Sequence, residues 1–153
     1  MRQRSRPRVL AVASGGGHWV QLRRLRSAFD GFDTVWVTVD PDYAHDLEGA
    51  AFHTVRDATR WNPLGLVAMA LQMLWLLLRL RPDVVVTTGA APGFFAVVIG
   101  KLLGSRTAWI DSIANADEFS GSGARVGRFA DLWLTQWPHL AREEGPGYEG
   151  AVL

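Results

Sequence analysis

With 153 residues, a 48% hydrophobic fraction and no cysteine, the composition predicts one packed domain and excludes disulfides, Cys-ligated zinc and thiol nucleophiles. The net charge of +1 is unevenly spread: residues 1–29 hold seven arginines (Arg2, Arg4, Arg6, Arg8, Arg23, Arg24, Arg26) and no acid, leaving −6 for the rest. A basic amino end either favours an anionic lipid surface, at about 1 kcal/mol per cation near it, or solubilises the chain ahead of its first strand. Nucleic acid is not expected as a partner.

The apolar runs alternate with helical stretches. Residues 8–13 predict a buried strand, running into Ser14-Gly15-Gly16-Gly17. The apolar run 9–13 is too short for a secretory h-region. Residues 18–29 predict a helix with Trp19, Leu22, Leu25 and Phe29 on one face and Arg23, Arg24 and Arg26 turned outward. A second strand at 34–39 is broken by Asp40-Pro41-Asp42, with a short helix through Glu48 and a weak third strand at 52–55. Asn62-Pro63 gives an N-cap and a proline at the first helical position, and Pro82 stops that helix after Arg81. Residues 62–78 are free of charge, at the lower limit of a spanning length, and predict a buried or membrane-leaning helix instead of a span. Strands at 83–88, 106–110 and 132–136 and a helix from Gly93 to about Leu103 complete the alternation. The glycine-dotted stretch 117–127, with Gly121-Ser122-Gly123, predicts a mobile loop that orders as a lid on binding.

This pattern predicts an α/β fold, a doubly wound, mostly parallel Rossmann-like sheet. The expected domain limits are a basic flexible start at 1–7, the lobe at 8–142 and a polar, unpaired tail at 143–153. Ligands of such sheets sit outside the carboxyl ends of the strands, which gathers Ser14-Gly15-Gly16-Gly17-His18, Asp40, Gly89 to Gly93 and Asp111 to Asn115.

The 14–18 turn follows a strand and opens a helix, so its glycines let the backbone approach a ligand and its free N–H groups suit an anion. Glycine for turn conformation alone is the plainer reading. Val20 stands where a dinucleotide fingerprint needs a small residue, and no Walker A loop is present; Asp40 keeps a ribose-binding, NAD-type reading open. His18 is placed to donate to a phosphate or act as a base, against the alternative of a histidine bonding one backbone group. Thr87-Thr88-Gly89-Ala90-Ala91-Pro92-Gly93 forms either a second cleft wall or a plain turn. Asp111 is a catalytic carboxylate or an N-cap, with Ser112 and Asn115 beside it, while Asp117 and Glu118 are solvated. His45, His53 and His139 have no companions at metal-ligand spacing. On the apolar helix, Leu66, Met69, Met73, Trp75 and Leu77 are the expected membrane or partner face.

Four segments carry a resemblance in order: Ala13-Ser14-Gly15-Gly16-Gly17-His18, Thr87-Thr88-Gly89-Ala90-Ala91-Pro92, Trp109-Ile110-Asp111-Ser112, and Ala130-Asp131-Leu132-Trp133-Leu134-Thr135-Gln136-Trp137-Pro138. Across about residues 8–140 the chain resembles the oligosaccharide-biosynthesis family of the eukaryotic Alg fourteen protein and the bacterial PssD and CpsF type exopolysaccharide proteins. The resemblance implies the acceptor-side half of a split, MurG-like GT-B glycosyltransferase, active in hexosyl or N-acetylglucosaminyl transfer only with its partner. The UDP-sugar donor is held by that separate donor-binding subunit, and no cofactor is bound tightly by this chain. The implied acceptor is polyprenyl-pyrophosphate-linked, with its pyrophosphate on Ser14, Gly15, Gly16 and Gly17 and further contacts from Gly89, Ala90, Ser112 and Asn115. The implied catalytic groups are His18 and Asp111. The implied location is peripheral, on the cytoplasmic face of the plasma (inner) membrane. Two features depart from the family: no amino-terminal span precedes Arg8, and Asn115 stands where many members have a basic residue. A stand-alone nucleotide-binding domain and a non-catalytic scaffold recruiting the donor subunit are the competing readings.

Overall fold

The computed structural model describes residues 6–152; Arg2 and Arg4, part of the expected basic start, lie outside the described residues. Six strands, β1 (Arg8–Val12), β2 (Asp33–Thr38), β3 (Ala51–Thr54), β4 (Val84–Thr87), β5 (Arg106–Ile110) and β6 (Leu132–Leu134), form one sheet in the order β3-β2-β1-β4-β5-β6. Every pairing is parallel. The sequence reversal falls between β1 and β4, whose ends align at Val12 and Thr87.

Both faces of the sheet are apolar, as a parallel sheet requires. On one face Leu10, Val12, Val35, Val37 and Val85 pack with helices α2 (Pro63–Leu80) and α3 (Ala90–Leu102). On the other, Ala11, Ala13 and Trp36 pack with Trp19 and Leu22 of helix α1 (Gly17–Arg24). Trp19 meets Trp36 edge-on at 5.9 Å and stacks on Tyr43 at 5.2 Å. Helix α3 lies close on β4: a Cβ at Gly93 would fall 2.1 Å from Thr87 Oγ1, and one at Gly100 would fall 2.8 Å from Val85 Cγ2. A side chain at either position would push the helix off the sheet.

Helix α2 begins as the sequence predicts, with Asn62 Oδ1 accepting from the Gly65 N–H at 3.0 Å and Pro63 at the first position. It ends at Arg81 in the left-handed conformation (φ 47°), ahead of Pro82. Its faces differ from expectation. Met69, Met73 and Leu77 are fully buried against the sheet, because they fall at helical spacing on the stripe that opens with Gly65. Leu66 is half-buried, and of the expected outer face Trp75 alone is exposed. The outward stripe is Leu64, Val67, Leu71, Trp75 and Leu78.

Two further expectations are corrected. The 121–123 segment is not a loop but the first turn of helix α4 (Gly121–Val126), capped by Ser120 Oγ, which accepts from the Gly123 N–H at 2.9 Å. Gly123 and Val126 are buried, and α4 packs on α3. The tail from residue 143 is also paired. The Gly147 N–H donates to the Trp133 carbonyl at 2.8 Å and its carbonyl accepts from Thr135 N at 2.9 Å, a parallel bridge along β6. Helix α1 is shorter than expected, and Arg26–Phe29 tightens into a 3-10 turn.

Candidate functional site

The site is built where β1 and β4 part. The turn after β1 carries Gly16 at φ 65° and ψ −133°, a region open to glycine. The turn after β4 carries Gly89 at φ 128° and ψ −168°, followed by Ala90 at φ 62°. A non-glycine in that region costs on the order of 1 kcal/mol. Left-handed backbone thus stands on both sides of one crevice, and on the β4 side it includes a non-glycine residue, Ala90.

His18 joins the two turns. Its Nδ1 lies 2.9 Å from the Thr88 carbonyl, and Thr88 Oγ1 donates to the His18 carbonyl at 2.6 Å. A carbonyl only accepts, so Nδ1 is the donor in this contact and Nε2 is the ring nitrogen left for another partner. Gly89 makes room for the ring, since a Cβ there would stand 2.9 Å from His18 Cε1. Four of the predicted site residues, His18, Gly89, Gly16 and Ala90, are thus brought together.

The glycine turn is less open than its sequence suggests. The Gly16 N–H donates to the Tyr43 hydroxyl at 2.9 Å, and a Cβ on Gly15 would touch that hydroxyl at 3.4 Å. Around Gly16 and Gly17 a Cβ would meet nothing within 4 Å. Ser14 and Gly15 border a cavity of about 630 Å³, with Asp40, Tyr43, Asp57 and Ala90 also on its wall. Asp40 Oδ1 accepts from the Asp42 N–H at 2.9 Å and caps the 3-10 turn that holds Tyr43. Sequence reading marks Asp40 but misses Tyr43; its position three residues after the strand-breaking Asp40 is the signal.

Asp111, expected as a catalytic carboxylate or a cap, is 2% exposed and saturated. Oδ1 accepts from Trp109 Nε1 (3.0 Å) and Ser120 Oγ (2.7 Å), Oδ2 from Asn115 Nδ2 (3.1 Å) and the Ser120 N–H (3.2 Å). Four donors occupy its lone pairs. Its role is to organise the segment between β5 and α4. Asn115 and Ser112 serve the same segment: Asn115 through its bond to Asp111, Ser112 by accepting from the Ala114 N–H at 3.2 Å. Buried Gln21 fastens this segment to α1, donating to the Asp111 carbonyl and accepting from the Ile113 N–H, each at 3.0 Å. Its signal is a lone amide between Trp19 and Leu22 on an apolar face.

A second, more apolar groove of about 430 Å³ adjoins the cavity through the shared residues Ala58, Thr59, Ala90 and Ala91. Leu66, Phe94 and Phe95 supply its floor and Arg60 and Arg125 its cations. Both arginines are exposed, and neither forms an ion pair among the described residues. Among those residues, no three His, Asp or Glu side chains gather as a metal site.

No family model matches the chain, and no curated protein matches it by sequence. Solved structures do. The chain superposes on MurG of Acinetobacter baumannii with a TM-score of 0.75 at 14% identity, covering 93% of this chain and 45% of that one. It superposes on the UDP-N-acetylglucosamine 2-epimerase of Rickettsia bellii with a TM-score of 0.70 at 15% identity, covering 96% of this chain and 45% of that one. The UDP-GlcNAc 2-epimerase of Methanocaldococcus jannaschii gives 0.63 at 12% identity, with 84% and 39% covered. The chain spans less than half the length of each. Its six parallel strands, its crevice between β1 and β4 and these likenesses together give it the fold of a single GT-B lobe.

Proposed function

We propose that this chain is the acceptor-binding, membrane-associating subunit of a two-component UDP-sugar glycosyltransferase that builds lipid-linked oligosaccharide or exopolysaccharide. The observation that carries the reading is the His18–Thr88 clasp at the crevice. Nδ1 is engaged by the Thr88 carbonyl, so Nε2 is the basic atom, the arrangement a general base needs to take a proton from an acceptor hydroxyl. The hydroxyl oxygen then attacks the anomeric carbon of the sugar, the bond from that carbon to UDP breaks, and UDP leaves with the electron pair on its phosphate oxygen. The donor is held by the partner subunit. Asp111, with its lone pairs filled, is left out of the chemistry.

The membrane role rests on α2. Its outward stripe of Leu64, Val67, Leu71, Trp75 and Leu78 lies on one side of an 18-residue helix with mean hydropathy 1.7, of which 28% is buried. Arg79 stacks over Trp75 at 5.2 Å, and Arg60 over Trp61 at 4.6 Å. Aromatic rings paired with cations beside an apolar stripe suit peripheral attachment to an anionic bilayer on its cytoplasmic face.

The test is reconstitution with a donor-binding subunit, a UDP-sugar and a polyprenyl diphosphate-linked acceptor. Transfer is expected with both subunits present, and His18→Ala should lower kcat by about 10²-fold with assembly intact. Tight UDP-sugar binding by the isolated chain would point instead to a nucleotide-binding domain. Full activity of His18→Ala would reduce the chain to a scaffold.

A further inference from the structure

The two adjoining hollows differ in charge. The larger one, under Ser14 and Gly15, has the carboxylates Asp40 and Asp57 on its wall and no lysine or arginine among its described lining residues. The smaller one has Arg60 and Arg125 on its wall and no carboxylate, over an apolar floor of Leu66, Phe94 and Phe95. A diphosphate carries two to three negative charges. Placed beside two carboxylates in a walled cavity it meets uncompensated repulsion, whereas arginine guanidinium groups match its oxygens in geometry and sign. Carboxylates are, in turn, good acceptors for the hydroxyls of a sugar. The glycine turn also has less to offer an anion than its sequence implies, because the Gly16 N–H is already given to Tyr43.

The groove also reaches α2 through Leu66. Trp61, 80% exposed, follows Arg60 directly in the chain, and Leu64, 83% exposed, comes three residues later in the first turn of α2. A lipid tail leaving the groove beside Arg60 therefore has exposed apolar side chains next to it in the chain.

We propose that an isoprenoid diphosphate places its charged group between Arg60 and Arg125, with the first carbons of its tail on Leu66, Phe94 and Phe95, while the hydroxylated part attached to it lies in the Asp40–Asp57 cavity beside the glycine turn. This rests on the acceptor-lobe reading and assigns the acceptor its direction across the site: anion towards α2 and α4, hydroxyls towards β1 and β2.

Titration calorimetry of the full chain at roughly 150 mM salt, with farnesyl diphosphate as the probe, tests it. Farnesyl diphosphate should bind at least about tenfold more tightly than either inorganic pyrophosphate or farnesol, since the groove offers both cations and apolar floor. Arg60→Ala/Arg125→Ala should weaken binding by about tenfold or more, and Arg60→Lys/Arg125→Lys, which keeps the charge but not the fork, should recover part of it. Thermal melts confirm that the variants fold. Binding undiminished in the double alanine variant overturns the assigned direction and returns the diphosphate to the glycine turn. An unaltered chain that binds no farnesyl diphosphate overturns the acceptor-lobe reading with it.

Discussion

His18 and Thr88 hold each other twice, ring to carbonyl at 2.9 Å and hydroxyl to carbonyl at 2.6 Å, so that the turns after β1 and β4 are fixed as one unit. Thr88→Val keeps the shape and removes one of the two bonds. Stability should fall by about 1 kcal/mol, and a thermal melt should shift down by roughly 2–4 °C for a chain of this size. A larger loss of transfer activity than of stability would show that the clasp orients the ring.

Gly89→Ala tests the space beside that ring. The new Cβ would stand 2.9 Å from His18 Cε1, at a φ of 128° that alanine rarely adopts. The expected cost is about 1–3 kcal/mol, with activity reduced towards that of His18→Ala. Gly17→Ala is the control, because a Cβ there meets nothing within 4 Å; denaturant unfolding should show it neutral or slightly stabilised.

Asp111→Asn separates a structural carboxylate from a catalytic one. It turns a fourfold acceptor into a group with two donors of its own, facing Trp109 Nε1, Asn115 Nδ2 and Ser120. We expect a loss of about 2–4 kcal/mol and faster hydrogen exchange in residues 112–120, with kcat per folded molecule within a few-fold of the unaltered chain. A kcat loss of 10²-fold or more without loss of stability would restore Asp111 to the chemistry.

Helix α2 gives a paired prediction. Leu71→Gln lies on the outward stripe and should leave the melt unchanged while lowering binding to vesicles of anionic phospholipid. Met69→Ala, on the buried stripe, should cost about 2–5 kcal/mol. Equal vesicle binding by Leu71→Gln and the unaltered chain would remove the bilayer from this face.

Acid sensitivity should localise at β6. The Asp131 carboxyl is held below the ordinary carboxylate value by the Lys101 ammonium and next by the Thr107 N–H. A carboxyl lowered in the folded state stabilises fully above its unfolded value, near pH 4, and that contribution fades as pH falls through the folded value. Both side chains are over a third exposed, so the effect is small and salt-sensitive. Asp131→Asn should flatten the stability profile below about pH 4 in low salt.

Strand order aside, the sequence displays most of this lobe. Its β-branched runs, the Asn62-Pro63 cap and the Pro82 stop place the strands and α2 to within a residue or two. Less visible is which side of an all-apolar helix faces inward. Met69 and Leu71 are equally apolar, and only the stripe starting at Gly65 decides that the first is covered and the second is not. The 121–123 glycines suggest a loop because the reason for one of them is tertiary: a Cβ on Gly123 would stand 3.0 Å from Asp111 Oδ1. Composition likewise shows the glycine turn but hides Tyr43, which comes from another turn to occupy its Gly16 N–H.

The bridge between Leu134 and Gly147 has a bearing on how the molecule behaves in company. β6 is three residues long, and its outer backbone groups would otherwise serve as a template for a strand from a second molecule. With Trp133 and Thr135 already bonded to Gly147, that template is filled from within the same chain. Association at this rim must then proceed through side chains such as Leu132 and Tyr148, both exposed, which favours selective recognition over open-ended stacking.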